Sequence, residues 1–392
     1  STWFQPAKVE LGLRERIGAA SVREVDAVRL AVRGKILAPY RDGQGQLWLA
    51  ERKKSDAEQR VADRVRQWLS AAPVWPAIEE LDVSSHQRET LREALQAQIS
   101  VFTGGPGTGK TYSAARLIAQ IIETHGTGVL AVAAPTGKAA VRITEAMHGY
   151  GVKIRATTIH GLLGVRQSGY EGWGFRHNAD NPLDFRFVVV DEASMIDTDL
   201  AASLFSACGT DTHLLLVGDI GQLPPVGHGA PLRDLIAAGI PTGQLTETHR
   251  QAAASKVVQA CGRIREGKQF EVCDQINPET GHNIKLLPAV KSETAIKKII
   301  ETIEAIGHRK IADPIWGCQV IVAVNESSEL SRAVVNKRLQ AELNPRGKKV
   351  DGNPFRVGDK VVCSKNSFVQ TCDPEEIDKY PRKIAKILIE AI

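Results

Sequence analysis

The sequence predicts an α/β fold built on a parallel sheet with helices on both faces. Four apolar runs, "ISVFTG", "GVLAVAAP", "FRFVVVDEA" and "HLLLVGD", recur between residues 99 and 219. Each has the length of a buried strand and ends in a polar or glycine turn. Helix-patterned stretches separate them, as in βαβ units. The chemistry-bearing residues follow the runs, where open parallel sheets bind ligands.

At 392 residues the chain can bury a sizeable core and is expected to hold two or three domains. The hydrophobic fraction of 43% and mean hydropathy of -0.17 are those of an ordinary globular chain. A net charge of +5 permits a nucleic-acid partner without requiring one. No apolar run approaches the ~18 residues that cross a bilayer, and "STWFQPAKVE" lacks the regions of a signal peptide. A cytoplasmic protein with no membrane partner is the expectation. The six cysteines form no C-x-x-C pair and the ten histidines show no metal-ligand spacing, so reduced, partly buried thiols are expected.

Taken in order, residues 1–82 predict a small, mainly helical domain. "SDAEQRVADRVRQWLSA" places Ala57, Val61, Val65 and Leu69 at helical spacing, and "APVWPAIEEL" supplies two prolines as a boundary. Residues 83–250 hold the strand-ending runs. Beyond 251, "ETAIKKIIETIEAIG" and "SRAVVNKRLQAEL" read as helices, and "CQVIVAVN" and "GDKVVCSKN" as further buried strands. Residues 251–392 thus read as the start of a second α/β domain.

The first strand leads into Gly104, Gly105, Pro106, Gly107, Thr108, Gly109, Lys110 and Thr111, which fit the phosphate-loop pattern in full and open a helix. Its glycines let backbone N–H groups face phosphates at a helix N-terminus. Lys110 would reach the β- and γ-phosphates of ATP, and the Thr111 hydroxyl would ligate Mg²⁺. Asp191 ends the third run and suits the hydrated Mg²⁺. Glu192 beside it suits polarising the attacking water. Acidic neighbours alone are most often a solvated pair; behind four apolar residues and after a phosphate loop they read as chemistry. Gln222 could hydrogen-bond both γ-phosphate and water, or be a loop glutamine. Arg250 could stabilise transition-state charge, worth about 10³–10⁵ in rate, or form a surface salt bridge. A carboxylate base argues for hydrolysis over transfer to a metabolite, which ranks a metabolite kinase last.

Together these blocks resemble superfamily 1 DNA helicases, and within them the RecD-like branch, over roughly residues 45 to 368. "SSHQRETLREAL" is similar to the adenine-recognising Q motif, with Gln87 as base reader. "APTGKAA" looks like motif Ia, "TTIHGLLG" like Ib, "VVVDEASMID" like II, "VGDIGQLPPVG" like III and "LTETHRQ" like IV. "GYEGWGFRHNADNPLD" looks like the family's hairpin pin, about residues 165–184, and "NKRLQAELNP" and "FRVGDKVVCSKNSF" resemble blocks of the second motor domain. The resemblance implies a P-loop NTPase with a RecA-like motor domain and a partial second one, using ATP and Mg²⁺. It implies work on single-stranded DNA and duplex junctions, with recombination or repair proteins as possible partners. UvrD-type relatives tend to read "TFTNKAA" and "GDxxQSIY"; the spellings here resemble the 5′→3′ branch.

Loops Ia and Ib carry Pro135, Thr136, Lys138, Thr158 and His160, residues able to hold a phosphate backbone without reading sequence. His160 could stack on a base, or cap a helix or sit in a core. Trp173 and Phe175 could wedge between bases or anchor the hairpin. Motifs V ("TVHKSQG") and VI do not follow the "GDKVV" block, and an incompletely represented second motor domain is the expectation; the opening Ser1 likewise suggests a trimmed or processed start. The leading reading is an ATP-dependent 5′→3′ DNA helicase. The alternative is an ATP-gated single-stranded DNA-binding subunit that hydrolyses ATP without unwinding. The helicase part of a conjugative relaxase would need an upstream tyrosine nucleophile and histidine triad, which are not seen.

Overall fold

The computed structural model describes residues 3–17, 24–168, 172–247, 255–277, 280–310, 312–349, 352 and 354–361. The chain divides into two compact units, Ser1–Ile284 and Lys285–Ile392. Unit one opens with α1 (Pro6–Ile17), α2 (Glu24–Arg33) and an antiparallel hairpin of β1 (Leu37–Arg41) and β2 (Leu47–Glu51). The sequence reading expected helices here and missed the hairpin. Asp42 makes its turn: Oδ1 accepts the Gln44 and Gln46 N–H groups, and Oδ2 accepts Trp48 Nε1–H, each at 2.9 Å.

Helix α3 (Arg52–Ser70) follows directly. Its buried stripe departs from the expected spacing at the end. Ala57 and Val65 are buried and Val61 packs against the core, but Leu69 is exposed and Trp68 is fully buried. Each step of four overshoots the 3.6-residue turn by ~40°, so a stripe taken in fours drifts off the core face until a step of three corrects it. Trp68 lies edge-on to Phe205 at 5.4 Å and donates Nε1–H to the Gly209 carbonyl at 3.2 Å.

Nor is the proline-containing boundary a loose linker. Trp75 donates to the Ala97 carbonyl at 2.8 Å, and Ile78 and Leu81 are buried. Val74 N–H donates to His213 Nε2 at 2.8 Å, and His213 Nδ1 lies 3.1 Å from the Asp211 carbonyl. That pattern fits the neutral ring with its proton on Nδ1.

After α4 (Ser85–Ala94) the sheet begins. It contains β3 (Ile99–Gly104), β4 (Leu130–Ala134), β5 (Thr157–Thr158), β8 (Phe187–Val190), β9 (His213–Gly218) and β10 (Thr242–Leu245). All neighbours are parallel, in the order β10-β3-β9-β8-β4-β5. The four expected strands form its centre. Their runs are continuously apolar because successive residues face two separate cores. Val188, Val190, Leu214 and Leu216 join the core with Trp68 and Phe205, while Phe187, Val189, Leu215 and Val217 join the other. The second core is closed by α5 (Lys110–His125) and α6 (Gly137–Gly149). On the first face lie α7 (Ile159–Leu163), α8 (Thr198–Ala207) and α9 (Pro231–Ala237). Between α7 and β8, strands β6 (Val165–Ser168) and β7 (Gly172–Phe175) pair antiparallel as a hairpin. Helix α10 (Lys256–Arg265) follows β10.

Unit two contains α11 (Ser292–His308) and α12 (Arg332–Leu343), as expected. The two further strands are corrected: "CQVIVAVN" forms no strand, and "GDKVVCSKN" forms none over its described residues, 358–361. A strand needs a partner for its backbone groups and cover for its apolar face. Ile321 is instead 88% exposed, and Val324 and Val361 are also exposed. Asp359 knits the second resembling block to the first. It accepts Arg356 N–H and Asn344 Nδ2–H at 2.7 Å, and a hydrogen bond from Gln340 Nε2. Cys208, Cys261, Cys273 and Cys318 are free thiols. Among the described residues no helix is long and apolar enough to cross a membrane.

Trp68→Ala removes a fully buried ring and is expected to cost about 3–5 kcal/mol in chemical denaturation. Burial, joined by the Arg186 charge, holds the His213 pKa below its ordinary 6.5 although the Asp211 contacts oppose it. The unfolded chain therefore binds more protons as pH falls below 6.5, so this contribution is present above that value and lost beneath it. Melting temperature should fall on acidification from neutral pH, and less steeply in His213→Gln.

Candidate functional site

The site is built by six parallel strands ending at one edge. Read along the sheet, Leu245, Gly104, Gly218, Val190, Ala134 and Thr158 terminate neighbouring strands. The phosphate loop therefore leaves between the segments after β10 and β9. The acidic pair leaves between the β9 loop and the "APTGK" loop.

The phosphate loop runs from Gly104 to the start of α5. Gly107 and Gly109 take φ of +76° and +88°, backbone that glycine adopts without a Cβ clash. At Gly104 the constraint is space: a Cβ would stand 2.9 Å from the Leu245 carbonyl oxygen and 2.7 Å from Thr108 Oγ1. Thr108 is buried and donates its hydroxyl to the Gly105 carbonyl at 2.8 Å. The Lys110 ammonium donates to the Gly104 and Gly105 carbonyls at 2.7 and 2.9 Å. Burial lowers its pKa, while the carboxylates of Asp219, Glu192 and Asp191 pull it upward. Pro106 and Gly105 are half-buried in the loop, and Thr111 is half-buried in the first turn of α5.

Asp191 follows β8 and is buried. Desolvation pushes its pKa up to about 6, against the Glu192 N–H that donates to Oδ1 at 2.9 Å and the nearby charges of Lys110 and Arg142. Glu192 sits in left-handed backbone, φ 53° and ψ 36°, uncommon for a residue with a side chain. Its Oε2 accepts a 3.3 Å bond from Gln222 Nε2, and Gln222 Oε1 accepts the Ser194 hydroxyl at 3.2 Å. Ser194 thus orients the Gln222 amide, a role that sequence reading did not anticipate.

Two further charges escaped it. Asp219, 3% exposed, accepts Gly221 N–H on Oδ1 at 2.9 Å and Arg265 Nη2–H on Oδ2. Its partner stands 46 positions along the chain, a separation that no local pattern reveals. Arg250 lies outside the described residues.

Gln87 is buried and completes a capping box. Its N–H donates to Ser84 Oγ and its Oε1 accepts Ser84 N–H, both at 3.1 Å. "SSHQ" carries the S-x-x-Q spelling of that cap, so its carboxamide oxygen already serves the helix. Neighbouring His86 accepts Thr246 N–H on Nε2 at 3.2 Å, tying α4 to the end of β10.

On the other half of the edge, β4 and β5 pair Ala133 with Thr157 and Ala134 with Thr158, which sets their loops side by side. Thr136 caps α6 by accepting Ala139 N–H at 3.2 Å, and Thr158 caps α7 by accepting Gly161 N–H at 3.0 Å. Pro135 is half-buried, and Lys138 and His160 are exposed. The His160 ring lies 5.7 Å from that of Phe175, which packs against the first core. Phe175 therefore anchors the hairpin; the Trp173 side chain lies outside the described residues.

A family model described as an AAA domain matches residues 82–280. The chain is 32% identical over 337 residues to the ATP-dependent RecD2 DNA helicase of Deinococcus radiodurans, covering 83% of this chain and 43% of that protein. It is 39% identical over 199 residues to the RecBCD enzyme subunit RecD of Mycolicibacterium smegmatis, covering 46% of this chain and 36% of that one. A solved structure of the Pif1 helicase from Candida albicans shares 19% identity at a TM-score of 0.35, over 57% of this chain and 55% of that one. The chain spans less than half the length of these two curated relatives.

Proposed function

The chain belongs to the AAA-domain family, in its RecD-like branch, and from that premise we propose that it hydrolyses ATP to move along single-stranded DNA. The reading extends to 5′→3′ unwinding at duplex junctions in recombination or repair, alongside partner proteins of those processes, in the cytoplasm. In this reading residues 83–250 are the first motor domain, residues 1–82 a domain that precedes it, and residues 251–392 belong to a second.

The observation that carries the proposal is the shared sheet edge. Lys110, Asp191, Glu192 and Gln222 follow three adjacent strands, and the Thr136 and Thr158 loops follow the next two. Nucleotide-dependent movement of the sheet as one rigid body would therefore carry the DNA-holding loops with it. Direction follows from the likeness of "APTGKAA" and "GDIGQLPPVG" to 5′→3′ relatives.

Each residue has a task. Gly104, Gly105, Pro106, Gly107, Thr108 and Gly109 wrap the phosphates, and Lys110 leaves the loop carbonyls for the β- and γ-oxygens. The Thr111 hydroxyl and the Asp191 carboxylate would hold Mg²⁺, and burial of Asp191 fits a carboxylate awaiting a cation. The bound ion supplies charge neutralisation at the phosphates. Glu192 takes the proton of the attacking water, Gln222 aligns that water under Ser194, and Arg250 offsets transition-state charge. Gln87 reads the adenine from the first turn of α4. Pro135, Thr136, Lys138, Thr158 and His160 hold the DNA strand, and His160 links that grip to the hairpin at the junction.

Lys110→Ala should reduce ATPase kcat/KM by roughly 10²–10³ or more, the effect of removing one electrostatic stabiliser. Glu192→Gln should bind ATP within about twofold of the parent and lower kcat by roughly 10²–10⁴, the span of general-base catalysis. Steady-state rates with and without single-stranded DNA form the decisive pair: stimulation is expected, and a rate indifferent to DNA would overturn the motor reading. ATP-dependent DNA binding without strand separation would instead mark a gated binding subunit.

A further inference from the structure

One cation at the phosphate loop belongs to none of the sequence blocks. Arg265 ends α10, and its Nη2 donates to the buried Asp219 carboxylate. The same guanidinium rests against two glycines. A Cβ on Gly221 would stand 2.2 Å from Nε, and one on Gly105 would stand 3.2 Å from Nη1. A side chain at Gly221 would push the guanidinium out of this position, and one at Gly105 would crowd it. One third of the Arg265 side chain stays exposed, against 4% for Asp219, so the pair is open from the arginine side.

We propose that Arg265 is a second cation of the nucleotide site, held on Asp219 and handed to the terminal phosphate of a bound nucleoside triphosphate. The proposal rests on the nucleotide-binding reading of the phosphate loop and adds a sensor to it. A guanidinium presents five donors in a planar fork and suits carboxylate and phosphate alike. On the carboxylate it fixes the loop from Asp219 to Gln222, because Asp219 also holds Gly221 N–H. On the phosphate it releases that loop and draws α10 toward the nucleotide. A diphosphate lacks the group that competes for the arginine and leaves the ion pair intact.

Two variants separate this role from that of a structural ion pair. Arg265→Gln keeps N–H donors toward Asp219 without the charge. Arg265→Ala combined with Asp219→Asn removes the guanidinium without stranding a buried carboxylate, which would itself be strongly destabilising. Calorimetric titration with a non-hydrolysable ATP analogue and with ADP, each with magnesium, gives the preference for triphosphate. That preference is expected to fall about tenfold in both variants, the worth of one charge-assisted hydrogen bond. ADP affinity should stay near that of the parent in both variants, and melting temperature should do so in the double variant, where no buried carboxylate loses its cation. A preference within about twofold of the parent in either folded variant overturns the proposal, since a charge-assisted contact is worth more than that. A parent protein that binds neither nucleotide overturns the nucleotide-site reading itself, so the two failures are distinguishable.

Discussion

Parallel pairing of six strands puts every carboxyl end at one edge of the sheet, and everything chemical in unit one depends on that alignment. Strand order decides which loops become neighbours. Since β9 lies between β3 and β8, the Asp219–Gln222 loop stands between Lys110 and Glu192 although it follows both in sequence. Burial on both faces makes the arrangement stiff: close-packed cores hold the strands from either side. A loop anchored on such a sheet can keep polar groups in place without its own hydrophobic core.

That stiffness also holds charges where water cannot fully solvate them. Burial opposes ionisation of both Lys110 and Asp191, moving one pKa down and the other up. Asp219 is as deeply buried but takes a direct arginine partner. Cations and carboxylates thus share a small volume with their mutual attraction strengthened by exclusion of solvent. A polyanionic nucleotide entering with a divalent cation would exchange these partners as a set, because each group already depends on its neighbours.

How much of this was legible follows from what each signal depends on. The four central strands could be read because two-sided burial demands continuous apolar runs. Strand β5 has only two residues, and "TGQL" of β10 has one covered neighbour at the sheet edge, so neither carries such a run. The reverse error occurred at "CQVIVAVN", where the apolar sequence meets no partner strand among the described residues and leaves Ile321 and Val324 exposed. The places of Lys110, Asp191 and Glu192 were legible because the phosphate-loop spelling and the apolar run before Asp-Glu both fix their distance from a strand end. Ser194, Asp219 and Arg265 meet their partners through proximity created by the fold; Ser194 and Asp219 lay within quoted blocks, and Arg265 lay in none. Gln87 shows a local rule competing with a family one: the capping spelling was present in "SSHQ" beside the motif spelling.

Glu192 ties the chemistry to the cost of folding. Left-handed backbone at a residue bearing a Cβ costs of order 1–3 kcal/mol and persists only where its surroundings over-determine it. Here they do. Asp191 before it is fixed by its N–H to the Ala133 carbonyl at 3.0 Å, and the short turn after it is closed by Met195 N–H to the Glu192 carbonyl at 3.1 Å. A glycine would adopt this backbone freely and a strain-free turn would need no carboxylate. The reversal at Glu192 ends the strand abruptly, and its carboxylate meets Gln222 at the sheet edge. The fold therefore maintains a carboxylate on strained backbone, with a buried acid before it in the chain and a serine-bonded amide at its oxygen.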